Sequence, residues 1–580
     1  MATRQIEAQK LLVAVDFGTT FSSVAFALSK KSSEQEVLTW YGDGVLSGED
    51  VPTVLSYHED TDPGKGPYKW GFQVDAEEQH EGLVTRYEWF KLSLNPGLED
   101  SGLARQYPLE TRYNNEAHCE ALIVDYLKAL KSNFDEFIAM RPKVLASIPQ
   151  EYIITVPAIW SDKAKDITKQ CAVRAGMAAR KGDIRMIKEP EAAGIYALDS
   201  MKDIALRVND TFVLCDAGGG TVDLISYTVA ALLPAPSLTE AAQGTGSCCG
   251  GSFLNRMFEQ YLDKKFADYP DFDKDLKAGV MKNFETRLKR TFMGDISKSY
   301  YIPVRGFRDS RRLGISGGYL NVPGRDLQRM FKEVIDEIIF LVLAQIRATA
   351  KRVKSVLLAG GFGQSNYLRV QLAEAVRSVQ RDITVETIRH SNTAIVRGAL
   401  LRSLTRADPR LPYARSEGRI PTKSYGIQKW TDFDSSKHDR SKACKDEYSK
   451  RLMIEVMHWF IEQGTMVNES AMQHVRLYSC IPLEDGPFSP MDLTIYSHES
   501  GTGATPPLYK PRDLKELIKL KAKLDCIPEE KLTMEEREGE LHRVANFELE
   551  TQLNWAGTLT FRLKHAGKRY EEESVVAEFV

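Results

Sequence analysis

Two glycine turns of one design constrain this chain more than any other feature. The first is Val13-Ala-Val-Asp16-Phe-Gly18-Thr19-Thr20-Phe21-Ser22. The second is Leu214-Cys-Asp216-Ala-Gly218-Gly219-Gly220-Thr221-Val-Asp223. Each runs from an apolar strand through Asp to Gly with Thr, then back into β-prone sequence, which reads as a hairpin turn and not as a strand-to-helix turn. Glycines let successive backbone N–H groups approach an anion without Cβ obstruction, and the Thr hydroxyls add donors. The carboxylates repel phosphate. They suit a metal ion or its water shell, since Mg²⁺ keeps several waters. Two such turns facing each other make a clamp for a polyphosphate. Either turn alone reads equally well as a plain β-turn; the pair in matching contexts carries the inference. The chain has no GxxxxGK[ST], which disfavours a P-loop enzyme. A third loop, Val356-Leu-Leu-Ala-Gly360-Gly361-Phe-Gly363-Gln364-Ser365, follows an apolar strand and precedes a helical stretch. Its Gly-Gly opening lets a flat base or a phosphate lie against the backbone.

Around these loops the pattern is α/β. Val13–Phe17, Tyr152–Val156, Thr211–Cys215 and Ser355–Leu358 are buried-strand candidates, and Ala121–Ile138, Asp162–Ala179 and Arg325–Lys351 carry helical periodicity. Alternating strands and helices argue for an α/β unit over 1–406. The segment 407–424 holds Pro409, Pro412, Gly418 and Pro421 and reads as a linker. From 425 to 580 two-residue alternation takes over, as in Leu559, Phe561 and Leu563, so a smaller β-rich domain is expected. The 580 residues exceed what one core serves. A formal net charge of -3 leaves no general basic footprint for nucleic acid. Eight cysteines form no CxxC pair, which fits a reducing compartment better than a disulfide framework or a zinc site. Met1–Lys10 is polar, and no apolar run is long enough for a signal core or a membrane span, so a cytoplasmic or nuclear location is expected. Gly314-Ile-Ser316-Gly-Gly318 matches a nucleophile elbow literally, but Tyr-Leu-Asn-Val-Pro follows it where a helix is needed.

The three loops, in this order, resemble the phosphate-1, phosphate-2 and adenosine motifs of the actin, sugar kinase and heat-shock chaperone superfamily. Their details are most similar to the 70-kDa heat-shock (DnaK-type) chaperones. Ile154-Thr-Val-Pro-Ala158, Lys188-Glu-Pro-Glu-Ala-Ala-Gly194 and Gly250-Gly251-Ser-Phe-Leu-Asn255-Arg256 resemble further elements of that family. The resemblance covers roughly residues 11–404 and is faint beyond Asp408. It implies a two-lobed actin-like ATPase domain that holds ATP or ADP with Mg²⁺ in its cleft. Asp16 and Asp216 would lie near the hydrated metal. Gly18, Thr19, Thr20, Gly218, Gly219, Gly220, Thr221 and Asp223 would form the phosphate turns. Lys91 would approach the γ-phosphate, and Glu189 would position water. The implied catalytic set is Lys91, Glu189, Asp216 and Thr221. Gly250 and Gly251 would lie near the sugar and phosphates, Lys289 and Arg290 along the adenosine, and Gly360 and Gly361 against the nucleotide. Asn392 takes the place of an aspartate near the adenosine pocket.

The chain also departs from that pattern. Gln364 stands where the family has an arginine that stacks on adenine, and Glu285 and Thr286 compete for the acidic position of the adenosine helix. The family's acidic-and-leucine linker is not recognisable between Arg406 and Ser424, and no helical lid is expected after the last strand, a layout that resembles the atypical branch. The resemblance implies unfolded or extended polypeptide segments as partners, with J-domain and nucleotide-exchange co-chaperones. A non-catalytic ATP-sensing scaffold, a small-molecule kinase and an actin-like filament former are the alternatives.

Overall fold

The computed structural model describes residues 9–42, 45–74, 84–95, 102–107, 116–200, 206–446, 450–468, 471–499, 505–512, 514–537, 539–554, 556–570 and 574–580. The chain divides into two compact units, Met1–Ser416 and Glu417–Val580.

The first unit contains one sheet design built twice. In the first copy, β1 (Leu11–Asp16) and β2 (Phe21–Leu28) form an antiparallel hairpin, continued by β3 (Lys31–Val37). On the other side of β1 lie two parallel neighbours, β4 (Gln150–Val156) and then β5 (Arg185–Lys188). In the second copy, β6 (Thr211–Ala217) and β7 (Val222–Ala231) form the hairpin, continued by β8 (Ser237–Ser247). Its parallel side is β9 (Val353–Ala359) and β10 (Thr384–Thr387). The strand orders β5-β4-β1-β2-β3 and β10-β9-β6-β7-β8 therefore correspond strand for strand. Every residue of β1 and of β6 is buried, which explains why both read as continuous apolar runs and not as alternating ones. Both glycine turns are hairpin turns at the ends of these central strands, as their sequence implies.

The helices obey the same logic. α1 (Glu116–Ala139) covers the expected stretch Ala121–Ile138, and α5 (Gly324–Ala348) covers Arg325–Lys351 except its last three residues, since Thr349 caps the helix. On α5 the side chains of Leu327, Phe331, Val334, Ile335, Ile338 and Val342 are buried along one face. Each contributes about 1.5–3 kcal/mol relative to exposure. α2 (Asp162–Arg174) is shorter than its periodicity, which continues to Ala179. It starts at Ser161, whose Oγ accepts from Ala164 N at 3.1 Å, and it stops because Gly176 takes φ +81° just beyond its end. α3 (Glu189–Ser200) follows β5 directly, so Glu189 stands at a strand-to-helix corner. α4 (Ser252–Phe266), α6 (Asn366–Val379) and α7 (Ala394–Ala407) complete the layers used below. The literal nucleophile elbow is a hairpin: Ile315–Ser316 pairs with Tyr319–Pro323 around Gly317 and Gly318, both at positive φ.

After α7 the chain turns at Asp408–Leu411, and Arg415 N donates to Pro236 O at 3.0 Å. The second unit is a pair of antiparallel sheets. One orders β12 (Leu452–Ile461), β11 (Ser424–Asp432), β14 (Met491–His498), β15 (Lys515–Ala522) and β19 (Val575–Phe579). The other orders β13 (Gln473–Pro482), β17 (Glu540–Leu553) and β18 (Leu559–His565), with β16 (Thr533–Arg537) also paired to β17. Ile427, Ile495, Ile518 and Leu520 from the first sheet share a core with Val475, Phe547, Leu549 and Leu563 from the second. The fold is thus mixed α/β with a β-rich second unit. All eight cysteines are free, and among the described residues no helix is long and apolar enough to cross a membrane.

Candidate functional site

The two hairpin turns face each other. A Cβ on Gly219 would overlap Thr20 Oγ1 and lie 2.6 Å from Thr20 Cγ2, and a Cβ on Gly220 would lie 2.8 Å from Thr19 Oγ1. The turns are in direct contact, which only side-chain-free residues at 219 and 220 allow. Each turn is anchored from behind. Thr20 O accepts from Thr53 N at 2.8 Å. Gly218, Gly219 and Gly220 offer their carbonyls to Gly251 N (3.0 Å), Ser252 N (2.8 Å) and Gly250 N (3.1 Å). Gly250 and Gly251 therefore brace the second turn from the start of α4. At the tight bend of the first turn, Gly18 leaves no room for a Cβ beside Phe21 O.

Beneath the turns four carboxylates converge: Asp16 at the end of β1, Asp216 near the end of β6, Asp223 on β7 and Glu189 at the start of α3. All four are buried. Thr155 Oγ1 donates to Asp16 Oδ1 at 2.7 Å, and Ile159 N donates to Asp223 Oδ1 at 3.2 Å. The cation among them is Lys91, in the helical turn Phe90–Leu94, only 2% exposed. Its Nζ lies 2.7 Å from Glu189 Oε1. The rings of Trp160 and Phe17 stand 5.2 and 5.6 Å from the same nitrogen. This cage holds the ammonium by cation–π attraction as well as by charge.

One lysine does not balance four carboxylates. Burial and then the Glu189 charge push the Asp16 carboxyl up to about 7, against the pull of Lys91. Burial and Glu189 also raise Asp223 to about 7. Asp216 is held well above the carboxylate range by burial, then by Glu189, Asp223 and Asp16. Asp216 Oδ1 and Asp223 Oδ2 are buried without a hydrogen-bond partner. Buried polar atoms left open in an anionic nest fit a hydrated divalent cation.

The third loop closes one side. Gly360 has φ +79°, its N–H donates to Ser391 O at 3.0 Å, and a Cβ there would lie 2.6 Å from Asp216 Oδ1. Gly361 and Gln364 are exposed. Asn392 Nδ2 donates to Asp50 Oδ2 at 3.4 Å, and beside it Arg397 Nη2 donates to Glu49 Oε1 (2.8 Å) and Oε2 (2.7 Å). Lys289 Nζ donates to Asn255 Oδ1 at 3.0 Å, so it lies beside α4, while burial lowers its pKa. Arg290, its neighbour in sequence, is exposed. The competition between Glu285 and Thr286 has a structural origin. Residues Phe284–Leu288 form a π-helical turn, which shifts the helix register. Glu285 Oε1 then lies 3.8 Å from Lys289 Nζ, while Thr286 Oγ1 donates back to Lys282 O.

The structure thus gathers Asp16, Gly18, Thr19, Thr20, Lys91, Glu189, Asp216, Gly218–Gly220, Thr221, Asp223, Gly250, Gly251 and Gly360. It sets Lys289 and Asn392 at adjoining contacts and leaves Arg290 and Gly361 at the surface. Sequence reasoning missed the Trp160 wall of the Lys91 cage, the Thr155 clamp and the Asn255 contact. The Trp160 signal was available, since an aromatic two residues past Ala158 sits where the strand exits toward the turns.

No protein-family model matches the chain. Among curated proteins, heat shock 70 kDa protein 12A of Homo sapiens is 25% identical over 539 residues, spanning 76% of either chain. Heat shock 70 kDa protein 12B of Homo sapiens is 23% identical over 481 residues, 67% of this chain and 68% of the relative. The chaperone protein HscA homolog of Mannheimia succiniciproducens is 25% identical over 384 residues, 63% of this chain and 54% of the relative.

Proposed function

For a chain related to the 70-kDa heat-shock chaperones, we propose ATP binding with Mg²⁺ between the two glycine turns, hydrolysis at the β–γ bond, and coupling of nucleotide state to capture of extended polypeptide segments by the second unit. The observation that carries this reading is the nest of four buried carboxylates, matched by one caged lysine, directly beneath two facing glycine turns. Relationship to chaperones supports the polypeptide half.

The residues divide the work by chemistry. Backbone N–H groups of the two turns and the hydroxyls of Thr19, Thr20 and Thr221 are the phosphate donors. Phosphates held there take the place of the Thr20–Gly219 contact, so nucleotide entry moves the turns apart. Asp216 and Asp223 face the metal position through their open oxygens, and Asp16 stands beside them. Bound Mg²⁺ would supply the positive charge that lets these carboxylates and the phosphates share one site. Lys91 exchanges Glu189 for the terminal phosphate, steered by Trp160 and Phe17, and offsets charge developing in phosphoryl transfer. Glu189, released from Lys91, accepts a hydrogen bond from the attacking water and orients it. Lys289 and Gly360 border the nucleoside end.

The test is ATP turnover and nucleotide-dependent peptide binding by the full chain, compared with Lys91→Ala and Thr221→Ala. Turnover in wild type, lost in both variants, with peptide affinity that differs between ATP and ADP, supports the reading. ATP binding without turnover under peptide or J-domain stimulation selects a second reading, the non-catalytic scaffold. The observation favouring that reading is the tight Lys91–Glu189 pair, which occupies both catalytic groups with each other.

A further inference from the structure

A second polar site lies in the second unit, far in sequence from the turns. Strands β11 and β12 pair so that Lys429 faces Val456 and Ile427 faces His458. Cross-strand partners share a face, so Lys429 and His458 are diagonal neighbours on the side that carries the sandwich core. Both are half-buried. They line a cavity of about 300 Å³ at the end of the sheet, together with the loop that follows β11.

The cavity walls have a particular charge balance. Two acidic residues line it, and both are already engaged. Asp434 Oδ1 accepts from Ser436 N (2.9 Å) and Ser436 Oγ (2.6 Å), and its Oδ2 lies 3.2 Å from Lys437 Nζ. Asp432 Oδ2 lies 3.8 Å from Arg451 Nη1. Lys429 has no such partner: among the described residues no carboxylate or hydrogen-bond acceptor pairs with its ammonium. Its pKa is lowered by burial, and that of His458 by burial and then by the Lys429 charge. His438 adds a donor. Its Nδ1 accepts from Asp434 N at 3.0 Å, which places the ring proton on Nε2 in the neutral form. Val456 supplies an apolar wall.

Two basic side chains lie on one half-buried face, Asp434 is held by Ser436 and Lys437, and exposed Asp432 lies nearest Arg451. A half-buried charge is stabilised by a counter-charge, and among the described residues none pairs with Lys429. We propose that this cavity binds an oxyanion, the carboxylate or phosphate group of a small molecule or a peptide, with Lys429 as its cationic contact and His458 and His438 as further donors. The volume is at the lower end for organic ligands, so the cavity has room for the anionic group and a small part of the molecule that carries it. The site is independent of the nucleotide reading, since it shares no residue with the turns.

The test reads Lys429 directly in the full chain. Lysines are acetylated with an uncharged N-hydroxysuccinimide ester, and peptide mass spectrometry follows each rate. The probes are inorganic phosphate and acetate, each against chloride at equal ionic strength to remove screening. Once a probe is tenfold above its dissociation constant, Lys429 labelling should slow about tenfold while Lys442 and Lys445, outside the cavity, keep their chloride rates. Slowing by phosphate alone assigns a phosphate site, and slowing by acetate assigns a carboxylate site; either supports the proposal. His458→Gln should weaken the protection, with unchanged rates at Lys515 and Lys519 showing that the sandwich is intact. Lys429 rates equal to chloride with both probes, equal slowing at Lys442 and Lys445, or full protection in His458→Gln overturns it.

Discussion

Replacing Gly219 by alanine tests whether the two turns meet as described. The new Cβ would sit 2.6 Å from Thr20 Cγ2 and overlap Thr20 Oγ1, whereas ordinary contacts begin at 3.4 Å. One turn must therefore retreat by roughly 1 Å, the scale of overpacking that costs about 1–3 kcal/mol. Neither turn retreats freely. Gly219 O holds Ser252 N at 2.8 Å, and Thr20 O holds Thr53 N at 2.8 Å. Losing one of those bonds would add about 1 kcal/mol. Thr20→Ala removes both overlapping atoms and leaves Thr20 Cβ at 3.0 Å, a distance a small shift absorbs. The double variant should recover most of the loss. The assay is urea unfolding of the nucleotide-free chain, followed on first-unit peptides by pulse proteolysis and mass spectrometry. The expected coupling between the two substitutions is about 1–2 kcal/mol, well above the ~0.5 kcal/mol within which independent sites add. A Gly219→Ala variant as stable as wild type, or additive behaviour in the double variant, would show that the turns stand apart in the empty protein.

Lys91→Met should lower ATP turnover at least about a hundredfold, the cost of removing one preorganised charge, while nucleotide still binds; unchanged turnover removes Lys91 from the mechanism. Asp16 and Asp223 are both raised to about 7 in the folded protein, well above the ordinary carboxylate range near 4. The folded state then keeps protons that the unfolded chain releases, so the first unit without metal should lose stability as pH rises from about 4 to 7; a urea midpoint that rises across that window contradicts the charge nest. Lys289→Ala should weaken nucleotide binding about tenfold, near 1.4 kcal/mol, whereas exposed Arg290→Ala should leave it unchanged, as calorimetry of the two variants would show.

The sequence made local features legible and left tertiary ones hidden. The hairpin turns could be read because Asp, Gly and Thr follow strands in a fixed order, and α5 could be read because its apolar residues recur at helical spacing. The stop of α2 was misplaced, since the periodic residues run on past Gly176 and the glycine's backbone angle ends the helix first. The π-helical turn at Phe284–Leu288 was seen only as an ambiguity between Glu285 and Thr286, because one inserted register step leaves no compositional mark. Lys91 was found by its motif, but its cage draws on Phe17, Trp160 and Glu189, which only folding brings together. The same holds for Glu49 and Asp50 against Arg397 and Asn392, where the partners are more than 300 residues apart. In the second unit, alternation revealed strands but not the register that sets Lys429 beside His458.

Calorimetric binding of ADP and ATP to the full chain, with and without Mg²⁺, in wild type and in Asp216→Asn, tests the metal–nucleotide site itself. Asp216 is buried in the carboxylate nest with one oxygen open, so the amide keeps its shape and removes its charge. Mg²⁺ should strengthen nucleotide binding by wild type, and the variant should fold but lose the Mg²⁺ dependence. Wild-type protein that binds no nucleotide with Mg²⁺ present, or a variant with the full Mg²⁺ dependence, would contradict the proposed site.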